Sequence, residues 1–144
     1  MQLVLPAQWK IERPRYLMYR PAAMEGPGRQ PAGYVANVKV EHAAYVIRFA
    51  DSTGKTAASG RVVLNRGTAV FDRIETLEPH RGRGLGAAVM IALDALAEHA
   101  GVSERLLVAT EAGRALYLGL GWVDLAPYST AVLPAGSALQ RQAG

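Results

Sequence analysis

The stretch Arg81-Gly82-Arg83-Gly84-Leu85-Gly86 decides the fold, because it lies where a strand-like pattern gives way to a helical one. Its three glycines let the chain turn tightly and bring backbone N–H groups against a ligand. A helix that begins here adds unpaired N–H donors and a partial positive charge at its N-terminus. The guanidinium groups of Arg81 and Arg83 suit phosphate oxygens. The stretch therefore predicts an anion site of the kind that holds a pyrophosphate.

The residues before this stretch repeat with the two-residue period of β-strands. Tyr45, Ile47 and Phe49 alternate with smaller or charged side chains. Turn signals at 51–54 and 65–67 divide the region, and a proline at position 79 ends it. We therefore predict three strands, over 34–50, 57–64 and 68–77.

The residues after the stretch switch to helical spacing. Apolar residues recur every three or four positions over 85–100, and Gly101 stands where a helix commonly ends. The remaining predicted elements are a buried strand, a second helix and two final strands, over 105–110, 111–120, 122–125 and 128–133. This order predicts an α/β (α+β) fold with one mixed central sheet.

Residues 1–33 form an atypical, proline-rich N-terminal segment. Five prolines break any long helix there, so we predict only one short helix around Trp9–Tyr19, interrupted at Pro14. Neither internal repeats nor a linker divide the chain, which indicates a single domain over 1–144. The small and polar tail at 134–144 is expected to be frayed.

Composition and charge argue against several classes of function. The chain has no cysteine and its three histidines lie far apart, so we expect no metal site. The net charge of +4 comes from basic residues spread from Lys10 to Arg48 rather than from a dense stripe, which argues against a nucleic-acid partner. The longest apolar run, Ala87–Leu93, is too short to span a membrane. The N-terminus lacks a signal-peptide pattern, so we expect a cytoplasmic location.

Glycine spacing alone leaves other interpretations of 81–86 open. A dinucleotide-binding loop would follow an early strand of a parallel sheet, whereas antiparallel strands are predicted before this one. A Walker-type phosphate loop needs glycine, lysine and serine or threonine in succession, and that run is absent. An arginine-glycine tract that binds RNA would be repeated along the chain. A glycine-rich turn that binds nothing is the remaining alternative.

Two motifs together resemble the GNAT superfamily of N-acetyltransferases. Arg81-x-x-Gly84-x-Gly86 at a strand-to-helix junction is similar to the family's acetyl-CoA motif, and residues 115–122 (ALYLGLGW) are similar to its helix-to-strand pattern. The resemblance covers about 35–133 and is strongest over 74–122. It departs from the family at Thr110, where an asparagine is common, and in residues 1–33, which leave little room for the two helices that usually shape the acceptor site.

The resemblance implies both the detailed fold and the cofactor site. The central sheet would be mostly antiparallel with flanking helices, and one strand pair, 68–77 and 105–110, would splay apart to admit the pantetheine arm of acetyl-CoA. Backbone N–H groups freed by the splay would polarise the thioester carbonyl. No metal is implied. The implied cofactor-binding residues are Ile74, Glu75, Thr76, Leu77, Arg81, Gly82, Arg83, Gly84, Leu85, Gly86, Thr110 and Tyr117.

Tyr117 is the candidate general acid. A phenol is protonated at neutral pH and can donate its proton to a departing thiolate. Periodicity alone favours a packing role for this aromatic residue, and the resemblance favours the catalytic one.

Glu75 is the preferred general base. The alternatives are Asp72, Glu78, His80 and water. Strict alternation along the strand puts Asp72 and Glu75 on opposite faces, so that at most one of them faces a given cleft.

The function that we expect is direct attack of an amine on the thioester of acetyl-CoA, with a small-molecule or peptide amine as acceptor. The alternative is a non-catalytic GNAT-like module that binds acetyl-CoA or a protein. We expect residues 1–33 to pack over the mouth of the cleft and supply much of the acceptor pocket, with covering of a sheet face as the other interpretation. A homodimer is also expected, because late strands at a sheet edge invite pairing.

Overall fold

A seven-stranded sheet organises the residues that the computed structural model describes, which are 10–11, 15–24, 31–128 and 131–132. The strands are β1 (Lys10–Ile11), β2 (Arg15–Arg20), β3 (Val35–Glu41), β4 (Ala44–Ala50), β5 (Thr56–Asn65), β6 (Thr68–Thr76), β7 (Glu104–Thr110), β8 (Val123–Tyr128) and β9 (Ala131–Val132). The helices are α1 (Leu85–His99), α2 (Glu111–Gly119) and a 3₁₀ turn at Glu78–His80. The large sheet has the order β3-β4-β5-β6-β7-β2-β8, and β1 pairs separately with β9.

The two central strands β6 and β7 form the parallel pair of this otherwise antiparallel sheet. Their backbones pair over Thr68–Phe71 and Glu104–Leu107, and this pairing does not continue to their carboxyl ends. The strands therefore splay apart beyond Phe71, immediately before the glycine-rich loop. The predicted mixed, mostly antiparallel α+β fold with a splayed pair is confirmed.

Most predicted elements lie within one or two residues of those in the structure, and the exceptions are the strand over 34–50, the last two strands and the N-terminal helix. The strand predicted over 34–50 is the hairpin of β3 and β4, which turns at His42, a residue with φ of 48°. The two-residue alternation of side chains continues across this tight turn, so the sequence pattern did not reveal the turn. The last two strands are divided later than predicted, since β8 continues to Tyr128 and β9 is only Ala131–Val132.

The N-terminal segment contributes a strand to the middle of the sheet. The helix predicted around Trp9–Tyr19 is wrong where the structure describes it, because Arg15–Arg20 is β2, hydrogen-bonded to β7 on one side and to β8 on the other. Apolar side chains on both faces are typical of such an enclosed strand. Trp9, Pro14 and residues 25–30 of the predicted N-terminal cover lie outside the described residues, as does the tail at 134–144.

A buried ion pair joins β7, α1 and the segment after β2. Arg105 on β7 is 1% exposed and Asp94 on α1 is 2% exposed. The Arg105 guanidinium donates to Asp94 Oδ1 and to the carboxylate of Glu98. The second oxygen of Asp94 accepts from the backbone N–H of Met24 at 2.7 Å. Since every charge here has a partner, the group holds α1 against the parallel strand pair.

The face of the sheet opposite α1 carries an apolar row that runs across six strands. The row follows the register pairs of successive strands and consists of Ala44, Val63, Val70, Leu106, Tyr19 and Val123. Val70 and Val123 are exposed. Among the described residues no helix packs on this face, and neither α1 nor α2 is long and apolar enough to cross a membrane.

Candidate active site

Helix α1 begins within the 81–86 loop, and no capping side chain occupies the backbone N–H groups of its first turn. Gly84 caps α1 in the left-handed conformation, with φ of 79°, which a glycine adopts without strain. It offers no side-chain hydrogen bond to the first turn, and no acidic residue occupies that turn. The first N–H groups of α1 and the positive end of its dipole are therefore available to an anion.

A cleft of about 620 Å³ opens between this loop, the splayed end of β6 and the start of α2. It is lined by Ile74, Glu75, Thr76, Arg81, Gly82, Gly84, Leu85, Gly86, Ala87, Thr110, Ala112, Gly113, Leu116 and Tyr117. Every residue of the predicted cofactor set lines it except Leu77 and Arg83. Four lining residues, Ala87, Ala112, Gly113 and Leu116, were not predicted from the sequence. The last three lie within about one or two helical turns of Tyr117 and could have been inferred from that spacing.

Gly86 lets the two helices meet at the wall of the cleft. A Cβ atom added at Gly86 would lie 2.9 Å from Leu116 Cδ2 and 3.9 Å from Thr76 Oγ1. The absence of a side chain here therefore allows the first turn of α1 to approach α2. The first turn of α1 therefore lies next to the helix that carries Tyr117.

Tyr117 is a buried phenol that lines the cleft. It is 7% exposed, and its ring lies 6.4 Å from that of Trp122. Burial raises the pKa of Tyr117 above the ordinary 10.0. Within the described ranges, no protein group forms a hydrogen bond with its hydroxyl. Since buried hydroxyl groups usually have a partner, this one is suited to a ligand atom in the cleft.

Asp72 and Glu75 lie on the same face of β6, so the prediction of opposite faces is wrong. A bulge interrupts the alternation at Arg73, whose φ is 55°. The register with β5 places Asp72 opposite Arg61 and Glu75 opposite Ser59, and those two β5 residues share a face. Arg61 holds Asp72 with two hydrogen bonds of 2.8 and 2.6 Å. Glu75 is exposed and has no ion-pair partner among the described residues.

Thr110 caps α2 at the place where the resembling family often has asparagine. Its hydroxyl oxygen accepts from the backbone N–H of Gly113 at 3.1 Å. The threonine thus performs the capping task expected of a short polar residue before a helix. Its side chain also lines the cleft.

The two arginines of the loop point to different places. Arg81 lines the cleft, and its Nε donates to the backbone carbonyl of Thr76 at 3.1 Å. Arg83 lines a second cavity, of about 330 Å³, together with His80. His80 is therefore set apart from the cleft that contains Tyr117. Within the described part of the chain, no three acidic or histidine side chains gather where they could hold a metal ion.

Comparison with known proteins places most of the chain in one family model. The model of the acetyltransferase (GNAT) family matches residues 5–122. No curated protein sequence matches the chain.

Solved structures of similar fold include a GCN5-related N-acetyltransferase from Kribbella flavida, with a TM-score of 0.66 and 18% identity over 92% of this chain and 62% of that one. Another, from Sphaerobacter thermophilus, has a TM-score of 0.69 and 16% identity over 84% of this chain and 51% of that one. A tandem GNAT protein of the clavulanic acid biosynthesis pathway has a TM-score of 0.67 and 14% identity, and covers 89% and 57% of the two chains. The present chain thus spans between 51% and 62% of these three proteins.

Proposed function

The chain belongs to the acetyltransferase (GNAT) family, and we propose from this membership that it transfers the acetyl group of acetyl-CoA to an amine. The observation that carries the proposal is the cleft. The cleft is lined by the start of a helix that lacks a side-chain cap and by Tyr117, a buried phenol whose hydroxyl has no protein partner among the described residues. An anion site joined to a proton donor is what transfer from a CoA thioester requires.

The residues of the cleft fit the groups of acetyl-CoA. The first N–H groups of α1 would hold the pyrophosphate, and Arg81 would add its guanidinium from the loop. The volume of about 620 Å³ lies within the range of sites that bind small molecules and cofactors. The pantetheine arm would lie between the separated ends of β6 and β7, beside Ile74, Thr76 and Thr110.

The residues that line this cleft suit the transfer of an acetyl group from a thioester. Bound acetyl-CoA supplies an acyl group already activated as a thioester. The nitrogen of a neutral amine forms a bond to the carbonyl carbon, and the carbon–sulfur bond breaks. Tyr117 gives its proton to the leaving sulfur, and the proton that the amine loses passes to a base. Because burial raises the pKa of Tyr117, the phenol is protonated at neutral pH and can transfer its proton as the carbon–sulfur bond breaks.

Glu75 is the base that the geometry favours, acting directly or through water. Asp72 is held by two hydrogen bonds from Arg61, and His80 lines the second cavity. Glu75 lines the cleft and is exposed on the sheet face opposite α1. An amine that approaches from this face would meet its carboxylate first.

The same face is the proposed route for the acceptor, a small-molecule or peptide amine. Arg15–Arg20 of the N-terminal segment lie within the sheet as β2, and the described residues before Tyr34 do not line the cleft. The role of the rest of residues 1–33 in the acceptor pocket, the homodimer and the cytoplasmic location stay predictions.

Two measurements test the proposal. Calorimetry with acetyl-CoA measures binding, and release of free thiol on a panel of small amines and peptide N-termini measures turnover. We expect both signals. Absence of binding would contradict the proposal, and binding without turnover on any amine would favour the non-catalytic module instead.

A further inference from the structure

A chain of polar contacts runs from a β-turn to the glycine-rich loop through the second cavity. Nη1 of Arg83 donates to the Tyr34 hydroxyl oxygen at 3.2 Å. That hydroxyl lies 2.8 Å from Nδ1 of His80. On the other side of the ring, Nε2 of His80 lies 3.7 Å from Oδ2 of Asp51. The function proposed above uses none of these side chains as a ligand of the cofactor.

Several contacts hold Asp51 and Tyr34 in place. The carboxylate of Asp51 accepts hydrogen bonds from the backbone N–H groups of Thr53 at 2.8 Å and Lys55 at 3.1 Å. The hydrogen bond from the Thr53 hydroxyl, above all, lowers the pKa of Asp51, so the group is ionised. Tyr34 is 7% exposed and belongs to the hydrophobic core, and its ring contacts that of His80 edge to face at 5.5 Å.

The contacts have one consistent direction. A guanidinium group can only donate, so the Tyr34 oxygen accepts from Arg83. The Tyr34 O–H can donate to Nδ1 of His80. In that assignment the imidazole proton is on Nε2, which lies 3.7 Å from the Asp51 carboxylate. The contacts then run in the order Arg83, Tyr34, His80, Asp51.

At its other end, this series of contacts reaches Arg83, in the most conformationally free part of the 81–86 loop. Gly82 and Gly84 flank Arg83, and both have φ of 79°. Glycines on either side give this segment a large conformational freedom, which a ligand would have to remove on binding. An anchor at the side chain between them reduces that cost before the ligand arrives.

We propose that Asp51, His80 and Tyr34 are positioning residues that tether Arg83, and that the tether holds the 81–86 loop ready for the pyrophosphate. In this arrangement Arg83 binds the protein, and Arg81 is the loop arginine that faces the cofactor. The inference rests on the proposed function for the identity of the ligand. The ordering of the loop itself requires no ligand.

The central experiment is a double-mutant cycle on the whole chain. Tyr34→Phe removes only the hydroxyl, and Arg83→Met removes the guanidinium group with its donors and its charge. Each variant should weaken acetyl-CoA binding about fivefold by calorimetry, the effect of losing one typical hydrogen bond. The double variant should bind no more weakly than the weaker single variant, because both changes break one tether. In Tyr34→Phe the turnover rate at saturating acetyl-CoA should not change.

Two comparisons separate the tether from a general loss of structure. His80→Asn keeps an acceptor near the position of Nδ1 but loses the contact with Asp51, so it should bind acetyl-CoA less tightly than the wild type and more tightly than His80→Leu, which should weaken binding as Tyr34→Phe does. Tyr45→Phe, a change on β4 outside the contact chain, is the matched control and should have no effect. Unchanged binding in Tyr34→Phe would overturn the proposal. So would effects of Tyr34→Phe and Arg83→Met that multiply in the double variant, since Arg83 would then contact the cofactor independently.

Hydrogen exchange without ligand distinguishes failure of the tether from failure of the proposed function. Tyr34→Phe should speed amide exchange at residues 82–84 and leave α1 unchanged beyond its first turn. If wild-type protein binds no acetyl-CoA but this acceleration is seen, the tether stands and the proposed function fails. Equal exchange rates in the two proteins would overturn the tether.

Discussion

Met18 in β2 lies opposite Leu107 in β7, so the N-terminal segment is part of the central sheet. Both side chains are buried, and β2 separates β7 from β8. A chain that begins at Gly33 would lose this strand and the ladders on both of its sides. We expect the shortened chain to lose cooperative unfolding in urea, and a peptide of residues 10–24 added in trans to restore it.

Point changes at Met18 provide the control for this deletion. Met18→Leu conserves volume and should cost less than about 1.5 kcal/mol, whereas Met18→Asp should prevent folding by burying an unpaired charge. A shortened chain with wild-type stability would show that the sheet forms without β2.

The buried carboxylate of Asp94 should be essential for stability. Asp94→Ala leaves the Arg105 charge and the Met24 N–H without their buried acceptor, which should cost about 3–5 kcal/mol in the free energy of unfolding. Glu98→Ala is the matched control, because Glu98 contacts the same guanidinium but its side chain is 58% exposed. The control should cost less than about 1 kcal/mol. Similar costs for the two variants in denaturant titrations would contradict this account.

The anion site can be tested at Gly84. Wild-type protein should gain about 2.7 kcal/mol of stability when acetyl-CoA is present at about 100 times its Kd. Gly84→Asp should abolish this gain, since it places a negative charge at the helix N-terminus. Gly84→Asn has nearly the same shape without the charge, and asparagine tolerates the left-handed conformation better than most residues. It should therefore keep part of the gain, as measured by thermal melting with and without ligand.

The proton donor can be tested at Tyr117. Tyr117→Phe should lower the turnover rate by about 10²-fold, within the usual range for a general acid. The Kd for acetyl-CoA should change little, because the ring and its contact with Trp122 remain. A variant with full turnover would show that Tyr117 only packs or that water protonates the sulfur.

The pH dependence should carry the signature of the same residue. Burial raises the pKa of Tyr117 above 10.0, so the general acid keeps its proton through the neutral and moderately alkaline range. The alkaline limb of the turnover profile should therefore lie above pH 10 and be absent in Tyr117→Phe. The free energy of unfolding should follow the same direction with pH. The raised pKa of Tyr117 favours the folded state below pH 10, and this contribution is lost as the pH rises through the pKa of the folded protein. An alkaline limb below pH 9 would assign the loss of rate to another group.

Local sequence patterns determined much of this protein. Glycine spacing, helical periodicity and a short apolar run were enough to place the 81–86 loop, α1, β7 and α2, because each pattern reflects interactions within a few residues. Tyr117 entered the candidate site through the resemblance of residues 115–122 to the family pattern, since periodicity alone favoured a packing role. Only the tertiary structure placed β2 between β7 and β8, because the short apolar run at 15–20 carries no information about its distant partners.

The tertiary structure also decided how individual side chains are used. Because of the bulge at Arg73, Asp72 and Glu75 lie on the same face of β6. Arg83 donates a hydrogen bond to the Tyr34 hydroxyl and does not line the cleft. Strand alternation and motif spacing describe a regular backbone, whereas a bulge and a contact between residues 34 and 83 arise from pairing between distant segments. That pairing decided which carboxylate and which arginine face the cleft.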